Sequence, residues 1–271
     1  MKKTWTVLEI IDWSRQYLAE KGFENARLET ELLLGHALSL PRIELYLNFD
    51  RQMSESELAR YKALLKRRLA GEPVQYVTGT AAFMLAEFEV NPAVLIPRPE
   101  TEALTEVALA MIEGTPDPTV ADIGTGAGVI AVTIALKRPE AAVYATDSSA
   151  PALDVARRNA ERAAVLDRIT FLKGPLFQPL EAAGLRGVLS MIVSNPPYVA
   201  SGAIETLDRE VRDFEPRSAL DGGADGLDYL RKIAHDGPAF LGPRGAIALE
   251  VGDGQAEVVR DLLEESLTGA E

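Results

Sequence analysis

Apolar residues over roughly the first seventy positions recur at three- and four-residue intervals, the spacing of one helix face. Val7, Leu8, Ile11 and Leu18 mark a first helix. Leu28, Leu32, Leu33, His36, Ala37 and Leu40 mark a second, which stops before Pro41. Ile43, Leu45 and Leu47 suit a short third. Ser54 with Glu57 three residues on has the form of a capping box, and opens a fourth through Leu58, Tyr61, Leu64, Leu65 and Leu69 to Gly71-Glu72-Pro73. From 74 to 96 the rhythm changes. Val74, Tyr76, Val77, Phe83, Phe88, Val90, Val94 and Ile96 sit among Gly, Asn and Pro, which predicts a β-hairpin or extended connector. Pro97–Glu102 then places proline and acids where a helix start favours them.

Beyond 119 short apolar runs alternate with helical patterns. Thr119–Ile123, Ala142–Thr146, Ile169–Leu172, Val188–Val193 and Ala246–Val251 read as buried strands. Val129–Lys137, Ala152–Ala164, Leu227–Ala234 and Gln255–Glu265 read as helices. Such alternation predicts an α/β fold, a mostly parallel sheet with helices on both faces. The expected organisation is a helical bundle over 1–73, a hairpin linker over 74–96 and an α/β domain over 97–271. The least regular stretch, 198–226, follows the fourth strand, where α/β proteins place their sites.

Composition narrows the chemistry. Acidic residues outnumber basic ones 41 to 28 in 271 residues, a formal net charge of -13, which disfavours binding by phosphate neutralisation. The one dense basic run, Lys66-Arg67-Arg68, reads as the solvated face of a helix. Cysteine is absent, and the two histidines have no partner at ligand spacing. Thiolate nucleophiles are excluded, and a metal site is not expected. No stretch is apolar enough to span a bilayer, and the N-terminal pattern is broken by Glu9 and Asp12, so a cytoplasmic protein is expected. The acidic charge, which keeps copies apart, favours a monomer.

Gly124-Thr125-Gly126-Ala127-Gly128 lies between a strand and a helix. Its G-x-G-x-G spacing fails the dinucleotide fingerprint, because position 129 is valine. Asp147, at the end of the second strand, is placed to accept the hydroxyls of a ribose. Together they read as an adenosine-type site rather than as a bare turn and a solvated acid. The fourth strand runs into Asn195-Pro196-Pro197-Tyr198. Two prolines stiffen the exit, and the residue before a proline is held extended. An Asn side-chain oxygen and a proline carbonyl are two acceptors, suited to the two N–H donors of a planar –NH2 group.

The glycine loop, Asp147 and Asn-Pro-Pro-Tyr resemble a class I S-adenosylmethionine-dependent methyltransferase with a Rossmann-like sheet, acting on an amino or amide nitrogen. Leu95–Glu102, Glu215–Leu220, Gly222–Leu227 and Glu250-Val251-Gly252 with Gln255 narrow the resemblance to the peptide chain release factor glutamine methyltransferases. That resemblance implies methyl transfer from S-adenosylmethionine to the glutamine amide of the Gly-Gly-Gln loop of class I release factors. It implies that Gly124–Gly128, Asp147 and Asn195 hold the cofactor, with Leu176 an apolar wall for adenine. It implies that Asn195, Pro196, Pro197 and Tyr198 hold and orient the substrate, and that the helical domain docks the release factor. An adenine or guanine amino methyltransferase for DNA or RNA shares the tetrapeptide and is the alternative. Two departures stand out. Pro175 occupies the place of an expected carboxylate, and the terminal antiparallel strand pair is missing from the pattern.

Overall fold

Thr6 and Ser54 each bond the backbone N–H three residues on, while Glu9 and Glu57 bond back, so both capping boxes form in the computed structural model, which describes residues 4–268. They open α1 (Val7–Glu20) and α4 (Glu55–Leu69). With α2 (Ala26–Leu38), α3 (Arg42–Leu47) and α5 (Val74–Thr78) these helices make one compact unit, which ends at Gly79. Its core joins Val7, Ile10, Leu18, Leu33, Leu34, Tyr61 and Leu65. The basic run does not form a single solvated face. Arg68 is 2% exposed and grips Glu29 through two bonds, at 2.6 and 2.9 Å, with its guanidinium 4.3 Å from the centroid of the Phe23 ring. Arg67 bonds Glu72 and the carbonyls of Tyr76 and Val77.

The expected connector is extended only from Thr80. Val74–Thr78 is helical, with Val74, Tyr76 and Val77 buried. The hairpin proper is β1 (Thr80–Phe83) and β2 (Ala86–Glu89), paired antiparallel.

The second unit continues through α6 (Pro99–Met111), β3 (Thr119–Ile123), α7 (Val129–Lys137), β4 (Ala142–Asp147), α8 (Ala150–Arg162), β5 (Ile169–Lys173) and α9 (Gln178–Ala182). β6 (Leu189–Ser194), α10 (Arg209–Phe214), α11 (Asp228–Asp236), β7 (Leu241–Leu249) and α12 (Ala256–Thr268) complete it. All five sheet strands are parallel, in the order β5-β4-β3-β6-β7. The alternation of strands and helices required this, since each crossover helix returns the chain to the end of the sheet where the previous strand began. Among the described residues no antiparallel pair follows β7. β3 and α7 are almost wholly buried and form the centre of the molecule's α/β unit. The chain first winds outward from β3 to β5 and then returns to place β6 beside β3. That reversal opens a crevice at the carboxyl ends of β3 and β6.

Candidate active site

Both motifs singled out by sequence occupy this crevice. The glycine loop leaves β3 and Asn195-Pro196-Pro197 leaves β6, and together they line a cavity of about 340 Å³, within the usual size for a small-molecule site. Gly124 and Gly126 have φ of +74° and +54°, and a Cβ on either would meet nothing within 4 Å. They therefore give the turn its left-handed backbone and leave the space above it for a ligand. Gly128, with φ +80°, serves differently. A Cβ there would lie 2.9 Å from the Cβ of Ala156, so this glycine lets α7 pack on α8.

Asp147 ends β4 and lines the same cavity. Its carboxylate accepts the backbone N–H of Gly126 at 3.0 Å and of Ser149 at 2.8 Å, while burial pushes its pKa up. Pro175 and Leu176 form part of the wall, and Pro175 offers no carboxylate. Asp122, two residues before the first glycine and given no role by the sequence pattern, sits fully buried beneath the loop. Its Oδ2 accepts the Thr125 hydroxyl at 2.6 Å and the Ala131 N–H at 3.1 Å, tying the loop to the first turn of α7. Burial raises its pKa to about 7.

Asn195 is half-buried, and its Nδ2 donates to the Thr101 Oγ1 at 2.9 Å. Thr101 donates in turn to Glu250 at 2.7 Å, and the Tyr198 hydroxyl donates to the other Glu250 oxygen at 3.2 Å. Tyr198 therefore does not stand with its neighbours. Asn195, Pro196 and Pro197 line the cavity, whereas the tyrosine packs against the cluster of Leu227, Leu230 and Val259. Burial, then the adjacent carboxylate, push its hydroxyl up to about 12, so it stays a donor. Gln255 donates to the Tyr198 carbonyl at 3.1 Å and accepts the Gly252 N–H at 2.8 Å.

The remaining motifs converge on the same tetrapeptide. Buried Glu215 accepts the Ile96 N–H at 3.1 Å and pairs with Arg98 at 2.5 Å, joining the start of α6 to the loop after α10. A Cβ on Gly222 would strike the Pro197 carbonyl and the Tyr198 Cα, both at 2.8 Å. Only glycine lets the 220–226 segment lie against the strand exit. Sequence spacing could not reveal that these scattered segments meet around one strand exit.

The sequence profile of the PrmC N-terminal domain matches residues 9–79, and that of the Methyltransferase small domain matches residues 100–211. The release factor glutamine methyltransferase of Geobacter sulfurreducens is 48% identical over 255 residues, covering 94% of this chain and 87% of its own. That of Chlorobaculum tepidum is 42% identical, covering 97% and 90%. This chain belongs to the release factor glutamine methyltransferase family. Among solved structures, the catalytic domain of hMettl16, in complex with the MAT2A 3'UTR hairpin 6, superposes with a TM-score of 0.51 at 18% identity over 82% of this chain and 77% of that one. This likeness concerns the fold alone. The family's cofactor, S-adenosylmethionine, fits the donor set: two open glycines for close approach, a carboxylate at the strand end for ribose hydroxyls, and the apolar wall of Leu176.

Proposed function

We propose that Asn195 and the Pro196 carbonyl hold the acceptor nitrogen in the reaction this enzyme catalyses. That reaction is methylation of the side-chain amide of the glutamine in the Gly-Gly-Gln motif of class I release factors. The observation that carries the assignment is the hydrogen bond from Asn195 Nδ2 to Thr101, which leaves Oδ1 as the atom free to accept from a ligand. The amide –NH2 has two N–H donors, and two acceptors in one plane fix both. The face of the nitrogen is then open perpendicular to that plane, in a cavity that the glycine loop also lines.

S-adenosylmethionine supplies a methyl carbon bound to a sulfonium sulfur, which departs with the bonding pair. An amide nitrogen is a poor nucleophile because its lone pair is delocalised. Pulling both N–H bonds toward fixed acceptors favours the pyramidal nitrogen that attack requires, and positioning supplies the rest. The nitrogen gains the methyl group and afterwards sheds one proton to solvent, so no strong base is needed. Buried Glu250 reaches Asn195 through Thr101.

Gly124, Gly126 and Asp147 are assigned to the cofactor. Tyr198 is assigned to supporting the tetrapeptide from behind, and the helical unit to docking the body of the release factor. The nucleic-acid amino methyltransferase reading is not favoured, since the relatives of high identity are named for glutamine. The test is transfer of labelled methyl to a purified class I release factor, beside the same factor with its Gly-Gly-Gln glutamine changed to alanine. Label is expected only in the first. Asn195→Ala should lower kcat by roughly 100-fold or more while cofactor affinity holds, as loss of a transition-state hydrogen bond predicts. Unchanged turnover would remove Asn195 from this role.

A further inference from the structure

Thr101 has one hydroxyl proton and spends it on Glu250 Oε2, 2.7 Å away. Toward Asn195 its oxygen can therefore only accept, and Asn195 Nδ2 donates to it at 2.9 Å. Burial pushes the Glu250 carboxyl up, but the Thr101 and Tyr198 hydroxyls both donate to it and favour the ionised form, which has no proton to return. Its other oxygen already takes the Tyr198 hydroxyl. Thr101 is 3% exposed and Glu250 9%, so water does not readily replace either partner. The two residues come from the start of α6 and the end of β7, far apart in sequence, and meet only at the exit of β6.

The geometry points to Thr101 and Glu250 as specificity-determining positioning residues: they fix the direction of the asparagine amide, so that the site presents only acceptors and takes an amide but not a carboxylate of the same shape. The inference rests on Asn195 as the holder of the substrate nitrogen. A glutamate side chain has no N–H to offer, and against Asn195 Oδ1 and the Pro196 carbonyl it would set oxygen against oxygen. If the hydroxyl were removed, the amide could turn over and offer Nδ2 instead, which a carboxylate would accept.

The experiment uses the full enzyme and two forms of a class I release factor, one with glutamine in the Gly-Gly-Gln motif and one with glutamate. Each is titrated against the enzyme in the presence of S-adenosylhomocysteine. The wild-type enzyme should prefer the glutamine form by roughly tenfold or more, because an unpaired polar group in a hydrogen-bonding site is strongly penalised. Thr101→Val, nearly isosteric, should lose most of that preference, and Thr101→Ser should keep it. Glu250→Gln, which can donate toward Thr101 and so reverse the hydroxyl, should also lose it; circular dichroism and cofactor affinity establish that each variant is folded. Wild-type preference in both folded Thr101→Val and folded Glu250→Gln overturns the inference. If Asn195→Ala is inactive in that case, the assignment of Asn195 survives. An active Asn195→Ala removes the assignment itself.

Discussion

Asp122 shows how one residue can couple the cofactor loop to pH. One carboxylate oxygen takes two hydrogen bonds, and the other, fully buried, has no partner among the described residues. Desolvation raises the pKa from 3.8 to about 7, and the nearby charge of Asp147 adds to it. Folding thus tightens proton binding. The stability this gives is complete below the unfolded carboxyl's pKa and is lost as pH rises through about 7. Each tenfold tightening of proton binding is worth about 1.4 kcal/mol. The stability of the wild type to urea should therefore fall between about pH 4 and about pH 7, and Asp122→Asn should flatten that slope. Parallel curves for the two proteins would mean that Asp122 does not titrate there. The sequence places this residue two positions before the first loop glycine but gives it no role, since burial and an orphaned oxygen are properties of the fold. Tyr198 is the converse case. Its place in the tetrapeptide suggests contact with substrate, but its hydroxyl turns to a glutamate 52 positions away.

At the scale of elements, the helix α7 and its glycine loop carry two separable demands. Gly128 needs a left-handed backbone and has Ala156 against it, so Gly128→Ala should cost about 2–4 kcal/mol of stability from strain and overpacking together. Gly126 also has a left-handed backbone but open space, so Gly126→Ala should cost about 1 kcal/mol in stability and show its main effect on cofactor affinity. Thermal unfolding and cofactor titration of the two variants check this, and equal stability losses would contradict it. The strands are legible in the sequence because parallel strands read as short, largely apolar runs: β3 has the limits the apolar pattern predicts, and β4 to β6 differ by a residue or so. β7 begins at Leu241 rather than Ala246, because Gly242, Pro243 and Gly245 interrupt the pattern. The sequence of α5 reads as extended because Val74, Tyr76 and Val77 favour strands. Burying all three, with Val74 and Val77 in the core of the helical unit, overrides that preference.

The whole molecule consists of two units, each with a core of its own. Val7 to Val77 supply one, and the residues flanking β3 and β6 supply the other. Every residue assigned to the cofactor lies in the second unit. A ligand that binds only a folded unit stabilises that unit by about 2.7 kcal/mol at a hundredfold excess over its Kd, and leaves an independently folding neighbour where it was. Scanning calorimetry should therefore resolve two transitions, of which S-adenosylhomocysteine raises one. Arg68→Ala should lower the other, by about 3–5 kcal/mol, because it strands Glu29 inside the helical unit without its partner. The two perturbations act on different cores and should be additive when combined. A single transition that moves with both would show instead that the two cores unfold as one cooperative body, and the cofactor would then stabilise the helical unit as well.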